Sequence, residues 1–267
     1  MMTWRTLPYI LLLGLMSGCS WFDGKDEDVI KPAALQKIQS EVAFSALWTA
    51  RVGAGAADKA IKLEPALSGS RIFAASADGT ILAVQADTGN KVWSRDVRDL
   101  YAEADVDHAF AKDVDVITGG VGAGNDIVLV GTSAGEVLAL YQSDGSIAWR
   151  AEVSSEVLAP PQILNQLVVA QAIDGSVTGL DAFTGEQRWR FSTSLPALTL
   201  RGTATPILRD DVVIAGFANG RVALIDPDRG IAAIDERVAA AKGRSDLERL
   251  IDIDGKMVFQ SGRLYVA

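Results

Sequence analysis

One pattern occurs four times along this chain and restricts the folds that it can adopt. Each copy opens on a glycine, carries a second glycine ten residues later, and has a large apolar residue four residues beyond that. The positions are Gly79, Gly89 and Trp93; Gly135, Gly145 and Trp149; Gly175, Gly185 and Trp189; and Gly220, Gly230 and Ile234. Successive copies begin 56, 40 and 45 residues apart. Tandem units of this length indicate a repeat architecture in which each unit packs on its neighbours.

The residues around these positions predict β-strands joined by tight turns. The first glycine follows Asp, Ala or Asn, as in Asp78-Gly79 and Asn219-Gly220, and such dipeptides are typical of hairpin turns with positive φ. The stretch between the glycines is apolar and often β-branched, as in residues 81–84, which predicts a strand. The second glycine marks another turn. The tryptophan then falls in the following strand, where its ring can close the gap between neighbouring sheets.

A further strand is predicted upstream of every copy, and in three copies a proline marks one more short strand before it. The upstream strands cover residues 71–75, 127–131, 167–170 and 212–215, and the prolines are Pro65, Pro161 and Pro206. The unit is therefore a four-stranded antiparallel meander of about 40 to 45 residues. Such a unit in tandem predicts an all-β protein, a β-propeller of four-stranded antiparallel blades.

Two other fold classes fit the pattern less well. A β-sandwich has strands and turns without glycines and tryptophans locked at fixed spacings, and a βαβ fold needs long helical patterns between its strands. Only residues 232–250 could hold a helix of any length. The longer first interval places an insertion between blades at residues 98–124. Its glycine-rich end, Gly119–Gly124, precedes a strand instead of opening a helix, so we interpret it as a flexible turn and not a phosphate-binding loop.

The first residues have the pattern of an export signal. Arg5 precedes an apolar run at residues 7–16, which is too short to span a bilayer. The run ends at Ser17-Gly18-Cys19, and Cys19 is the one cysteine of the chain, so it has no partner for an internal disulfide. We predict a signal peptide at 1–18, lipidation of Cys19, a charged tether at 19–43 and a partial propeller domain at 44–267.

Composition and residue inventory argue against several functions. The net charge is −9, without the clustered cations that binding to nucleic acid requires. His108 is the single histidine, and we interpret it as a loop residue. The carboxylates beside it lack the spacing of a calcium loop, and a solvated acidic loop is the simpler interpretation; they are Glu103, Asp105, Asp107, Asp113 and Asp115. We expect no catalytic residues, no metal and no cofactor.

Residues 77–93 and 174–189 resemble the tryptophan-motif repeat of quinoprotein-type (PQQ-like) propellers. Together with the lipidation signal, residues 195–202 and residues 247–254, they resemble the BamB family of lipoproteins in the outer-membrane β-barrel assembly machinery. The resemblance implies a non-catalytic scaffold that aids folding and insertion of outer-membrane proteins. It also implies eight blades, of which this chain holds four to five. The implied location is the periplasmic face of the outer membrane, attached through lipid, which Ser20 after the cysteine favours.

The same resemblance implies the partners and the residues that contact them. The partners are the polypeptide-transport-associated (POTRA) domains of BamA, other subunits of the machinery, and unfolded outer-membrane proteins. Leu198, Leu200 and Arg201 match one docking segment, and Asp252 and Asp254 match the acidic pair of the same surface. From the residues alone, a strand could instead bury both leucines while Arg201 bonds a neighbouring loop. Likewise, the two aspartates could lie in a solvated turn.

The ends of the repeat region raise a further expectation. Residues 262–267 match the strand at 71–75, so the chain ends within a blade and we expect a truncated propeller. Residues 42–52 carry Trp48 and Val52 at the spacing of Trp93 and Val97, which predicts the outer strand of a blade completed from elsewhere. Unpaired strand edges would make such a chain poorly stable, and they could pair with substrate strands by β-augmentation.

Two other functions remain open at this stage. A quinone-dependent dehydrogenase shares the tryptophan repeat, but many such enzymes need a vicinal disulfide, which one cysteine excludes. A periplasmic ligand-binding or sensor propeller would hold a small molecule in a polar central channel. Recovery of assembly-machinery subunits in an affinity capture would favour the scaffold, and a copurifying quinone or calcium ion would favour the enzyme.

Overall fold

A computed structural model describes residues 42–56, 61–104, 116–240, 242, 244–245 and 250–266. The predicted signal peptide, Cys19, His108 and residues 247–249 lie outside these ranges. The chain divides into two compact units, residues 1–45 and 46–267. Of the first unit only residues 42–45 are described, and they form no helix or strand. Among all described residues, no helix has the length and apolarity needed to cross a membrane.

The described residues of the second unit form four four-stranded antiparallel sheets and one two-stranded sheet. The first blade comprises β1 (Ala66–Ser68), β2 (Arg71–Ala75), β3 (Thr80–Gln85) and β4 (Lys91–Asp96), and is followed by the helix α1 (Val97–Glu103). The second blade comprises β5 (Ile117–Gly124), β6 (Ile127–Thr132), β7 (Glu136–Tyr141) and β8 (Ile147–Glu152). The third comprises β9 (Gln162–Leu164), β10 (Leu167–Gln171), β11 (Ser176–Asp181) and β12 (Gln187–Ser192). The fourth comprises β13 (Ile207–Arg209), β14 (Val212–Gly216), β15 (Arg221–Ile225) and β16 (Ala232–Arg237), and the hairpin β17 (Val258–Gln260) and β18 (Arg263–Tyr265) follows.

Each blade is a simple meander, and its first strand is the innermost. The first strands of successive blades contact one another: β1 with β5, β5 with β9, and β9 with β13. Pro65, Pro161 and Pro206 stand just before β1, β9 and β13, where the missing N–H costs no ladder hydrogen bond. The four-stranded antiparallel blades predicted from the repeat are therefore confirmed, and the fold is a β-propeller.

The recurring spacing of glycine and tryptophan along the chain has a direct structural cause. Each indole lies on the turn between the third and fourth strands of the next blade and donates its Nε1–H to a backbone carbonyl there. The bonds run from Trp93 to Gln142 at 2.9 Å, from Trp149 to Ala182 at 2.9 Å, and from Trp189 to Pro227 at 2.6 Å. The second glycine of each receiving turn allows this approach; a Cβ on Gly185 would lie 2.6 Å from Trp149.

The residue across the sheet from each indole is small. Trp93 pairs with Ala83, Trp149 with Ala139 and Trp189 with Gly179, and the ladder register shifts just beyond each pair. In the fourth blade, Ile234 pairs with the larger Leu224. Ile234 remains 47% exposed, whereas the three tryptophans are buried.

The structure corrects the interpretation of Gly119–Gly124 as a flexible turn. These residues form most of β5, the inner strand of the second blade, and those at 119–122 are buried. The glycines are needed because neighbouring chain segments press against the strand. A Cβ would lie 1.9 Å from the Pro161 carbonyl oxygen at Gly122, and 2.7 Å from that of Val157 at Gly119. The insertion between blades is thus shorter than the predicted 98–124.

Helix α1 opens this insertion and was not predicted. Asp96 caps it by accepting a hydrogen bond from the N–H of Arg98 at 2.8 Å. The Tyr101 hydroxyl donates to Glu136 Oε2 at 2.7 Å. Glu136 also pairs with Arg150, whose guanidinium lies 4.8 Å above the Tyr101 ring. Burial and the Glu136 carboxylate raise the pKa of Tyr101, so its hydroxyl stays a donor. These contacts fix α1 on the second blade.

The one stretch that the sequence left open to a long helix, residues 232–250, begins as strand β16, because residues 232–237 pair with β15 in the sheet of the fourth blade. Residues 42–52 form no strand in this structure, and the outer strand of a blade completed from elsewhere stays a prediction. Trp48 nevertheless contacts the first blade as the other indoles contact theirs: its Nε1–H donates to the Ala86 carbonyl at 3.1 Å, and its ring covers Gly89.

Candidate functional site

Two loops meet at the end of the propeller where the connections between blades lie. One loop, residues 193–206, joins the third blade to the fourth, and the other, residues 250–257, follows the fourth blade. A Cβ on Gly202 would lie 3.1 Å from the Cβ of Asp254. Both loops line one cavity of about 280 Å³, together with residues 61–64 and 158–160. Because the sequence predicts docking residues on both loops, these loops and the residues they contact are called the docking surface, a name that stands for that prediction.

The two leucines of the docking surface stand on irregular backbone. No strand lies between β12 and β13, so the alternative of a strand burying both leucines was wrong. Leu198 is 49% exposed and Leu200 is 53% exposed. Leu195, near the start of the loop, is partly buried and packs against the cluster that contains Trp189 and Phe217. The loop is thus held at its start and presents apolar side chains at its tip.

Arg201 lies beside these leucines and is held by the loop between the second and third blades. Its Nη2 lies 2.6 Å from Glu156 Oε1, with the Arg201 side chain 43% exposed and that of Glu156 18% exposed. The backbone oxygen of Glu156 in turn accepts a hydrogen bond from Ile173 at 2.9 Å. The ion pair therefore fixes the guanidinium while leaving part of it open to solvent. Arg201 does bond a neighbouring loop, as one interpretation of the sequence expected.

The acidic pair stands on either side of a buried residue. Ile253 is buried and packs on Met257 and on Gly216 of β14, which fixes the loop on the fourth blade. Lys62 donates to the Asp254 carbonyl oxygen at 2.9 Å and lies 3.6 Å from its Oδ2. Asp254 is therefore paired while its side chain stays 47% exposed, so the interpretation as a solvated turn holds for it in part.

Asp252 is in a different situation from Asp254. Both of its carboxylate oxygens are sealed from solvent, and neither accepts a hydrogen bond of normal geometry from a described residue. Burial, with the nearby negative charge of Asp254, raises the pKa of Asp252 to about 6. The N–H of Ile253 and the ammonium of Lys62 oppose that rise only in part. Within the acidic pair, Asp254 thus has a cation from the described residues within ion-pair distance, whereas Asp252, two residues before it, does not.

The sequence did not point to the residues that support this surface. Glu156 holds Arg201, Lys62 holds Asp254, and Lys256 pairs with Glu64 at 2.9 Å. The paired residues are 45 or 192 positions apart. No local motif signals pairs at such separations. They follow only from the way the blades bring the loops together.

The blades, their interlocking indoles and their loop surface define a class: a β-propeller built from tryptophan-sealed repeats. A family profile described as "Outer membrane protein assembly factor BamB" matches residues 45–111 and 102–267. The chain belongs to the BamB family.

Several relatives bear that same description. The protein from Yersinia pestis is 31% identical over 256 residues, which are 96% of this chain and 64% of the relative. The protein from Pseudomonas aeruginosa is 38% identical over 266 residues, 100% of this chain and 65% of the relative. This chain therefore spans less than two thirds of the length of these relatives.

Solved structures agree with the fold. The crystal structure of BamB from Moraxella catarrhalis superposes with a TM-score of 0.66 at 30% identity, covering 77% of this chain and 57% of that one. The computationally designed Ika8 protein superposes with a TM-score of 0.54 at 16% identity, covering 76% of this chain and 54% of that one. The second likeness concerns the fold alone.

Proposed function

We propose that this protein is a non-catalytic scaffold of the outer-membrane protein assembly machinery. In this proposal it docks on the POTRA domains of the barrel subunit BamA through Leu198, Leu200, Arg201, Asp252 and Asp254. One observation carries the proposal: the two segments that resemble the family's docking segments meet at a single surface. They begin about 50 residues apart in sequence, so their meeting is a property of the fold.

The chemistry of the surface suits docking. Half-exposed leucines supply apolar contact area, and a partly exposed arginine beside them is the residue type that dominates many protein interfaces. The partly exposed carboxylate of Asp254 suits a basic group on a partner, which gives orientation and a faster encounter. The carboxylate of Asp252 is sealed from solvent, so it contacts a partner only if the loop rearranges on binding. A cavity of about 280 Å³ between the two loops can receive one or two apolar side chains of the partner.

The proposal places the protein at the periplasmic face of the outer membrane, held by lipid on Cys19. A lipoprotein carries more than one acyl chain, and such anchoring is stable where a single chain is marginal. The names of the relatives support an outer-membrane role. Replacing Cys19 with serine should move the protein from the membrane to the soluble fraction of the envelope. Retention in the membrane fraction would argue against this anchor.

Affinity capture from envelope extracts tests the docking proposal. The protein carrying Leu198→Ala, Leu200→Ala and Arg201→Ala should lose most of its recovery of barrel-assembly subunits, because hot-spot residues each contribute at least tenfold. A matched control replaces Phe183, Ile231 and Arg229, two exposed apolar residues and an arginine on turns at the other end of the blades. The control should recover the subunits fully. Equal recovery by both variants would rule out this surface as the docking site. A quinone that copurifies with the protein would instead favour an enzyme.

Scaffolding also includes presenting substrate strands. The outermost strands of the four blades, β4, β8, β12 and β16, each have one neighbour in their sheet, so each has an edge that can pair with an extended chain. Photocross-linkers placed along each of these four strands should capture unfolded outer-membrane proteins during export from at least one of them. Failure to cross-link from any of these strands would remove this part of the proposal.

A further inference from the structure

Two short segments of the chain exchange ion pairs within the docking surface. Residues 61–64 lie just before the first blade, and residues 254–256 follow the fourth. Lys62 Nζ lies 2.9 Å from the backbone oxygen of Asp254 and 3.6 Å from Oδ2 of the same aspartate. Lys256 lies 2.9 Å from Glu64 Oε2. Each segment thus contributes one cation and one anion, and we call the two pairs the charge bridge.

Each side of the charge bridge is fixed to a different part of the propeller. The backbone at residues 62–64 lies against Gly120 of β5, and the Glu64 carbonyl accepts a hydrogen bond from Val121 at 3.4 Å. The other side is fixed to the fourth blade by Ile253 and Met257. The charge bridge therefore links the second blade to the loop that carries Asp252 and Asp254.

We propose that the charge bridge positions the acidic part of the docking surface, with Lys62, Glu64 and Lys256 as positioning residues. Without it, residues 254–256 keep the apolar contacts that Ile253 and Met257 make with the fourth blade, but lose their link to the second blade. The inference rests on the proposed function, because it concerns the same surface. The inference goes beyond the proposed function because it gives Lys62, Glu64 and Lys256, which are not among the proposed contact residues, a role in docking.

Electrostatics support a positioning role. Exposed ion pairs are individually weak, but two reciprocal pairs restrict the loop in two places at once. The side chains are 47 to 72% exposed, so their attraction is screened by salt. Lys62 has a second effect: its charge lowers the pKa of Asp252, which burial and Asp254 raise. Loss of Lys62 leaves two carboxylates close together without the cation that offsets their repulsion.

Reversing the charges of Glu64 and Lys256, singly and then together, tests the inference. These changes leave the five residues proposed to contact BamA unaltered. Glu64→Lys and Lys256→Glu each break one pair, and the double variant restores it with the charges exchanged. Hydrogen exchange of the amides at 252–257 should become about 2- to 5-fold faster in each single variant, as expected for an exposed ion pair. It should return to the original rate in the double variant. At 0.5 M salt the difference should largely vanish.

Lys62 is tested by a conservative and a neutral change. Lys62→Arg should keep both the exchange rates and the affinity. Lys62→Met should speed exchange and raise the pKa of Asp252, measured by carbon-13 NMR of its carboxyl. An unchanged pKa and unchanged exchange in Lys62→Met would overturn the inference, because a residue that only packs would move neither.

Binding to the purified POTRA domains of the barrel subunit links the charge bridge to docking. The single reversals should bind about 2- to 5-fold more weakly, and the double variant should bind as the unaltered protein does. Equal affinity in all variants would overturn the positioning role while leaving the proposed function intact. No binding by the unaltered protein would overturn the proposed function and the docking role together, and hydrogen exchange would still show whether the bridge holds the loop.

Discussion

The blade junctions and the docking surface of this propeller are held together in different ways. At a junction, a buried indole fills the gap to the next blade and its N–H bonds to a backbone oxygen. At the docking surface, half-exposed side chains are held by ion pairs between loops that are distant in sequence. The buried junctions are therefore expected to supply most of the free energy of unfolding. The ion pairs at the surface contribute little to that free energy, so the surface loops can differ between proteins.

The largest effect is expected at a junction. Trp149→Ala removes a buried ring and its hydrogen bond to Ala182, and should lower the free energy of unfolding by about 3 to 5 kcal/mol. Ile234→Ala removes the half-exposed residue at the same repeat position and should cost about 1 kcal/mol. Urea denaturation measures both. Similar losses would mean that the indole contact does not dominate the junction.

A second prediction concerns the turn that receives this indole. Gly185→Ala combines a positive φ of 74° with a Cβ only 2.6 Å from the Trp149 ring, and should cost about 2 to 4 kcal/mol. The control is Gly69→Ala, where φ is 56° and no atom lies within 4 Å of the new Cβ. It should cost about 1 kcal/mol, from backbone strain alone. Equal costs would attribute the requirement for glycine to the turn and not to the ring.

The docking surface should show a pH dependence that the junctions lack. The pKa of Asp252 is raised to about 6, so the folded protein holds this proton more tightly than the unfolded chain does. The contribution of Asp252 to stability is therefore greatest at low pH and is lost as the pH rises from about 4 through 6. Asp252→Asn should gain about 1 kcal/mol over the unaltered protein at pH 7.5, allowing for solvent screening, and nothing at pH 3.5. A pH-independent difference would contradict the raised pKa.

The smallest effect on stability is expected at the pair that holds Arg201. Glu156→Gln should lower the free energy of unfolding by less than about 1 kcal/mol, since the pair is partly exposed. Capture of the barrel subunit should nevertheless weaken, because Arg201 loses its fixed orientation. A large loss of stability would place Glu156 with the junctions instead of with the surface.

The fold was predictable because its determinants are local and repeated. The glycines at 79 and 89 and Trp93 recur with the same spacing in later blades, and each sits where a turn or a junction requires it. Helix α1 was missed because its seven residues are stabilised by Glu136 and Arg150, which lie in the next blade. The glycines of β5 were misread because the backbone segments that crowd them come from elsewhere in the chain.

The geometry of the candidate site was predictable only in part, and its docking role stays a prediction. Resemblance to a family indicated Arg201 and Asp254, and the residues alone left a buried strand and a solvated turn open. Lys62 and Glu156 were not predicted, because an ion pair between loops depends on where the blades place them. The raised pKa of Asp252 likewise depends on burial, which a sequence pattern of isolated aspartates does not reveal.

The oxygen atoms that accept hydrogen bonds from the described indoles all belong to the main chain. They lie on Ala86, Gln142, Ala182 and Pro227, each three residues before a second glycine. Four such acceptors with three different side chains show that the indole bond does not depend on the side chain at this position. A duplicated blade would therefore fit beside an existing one without a compensating change at the acceptor, which gives this architecture a simple route to growth by gene duplication.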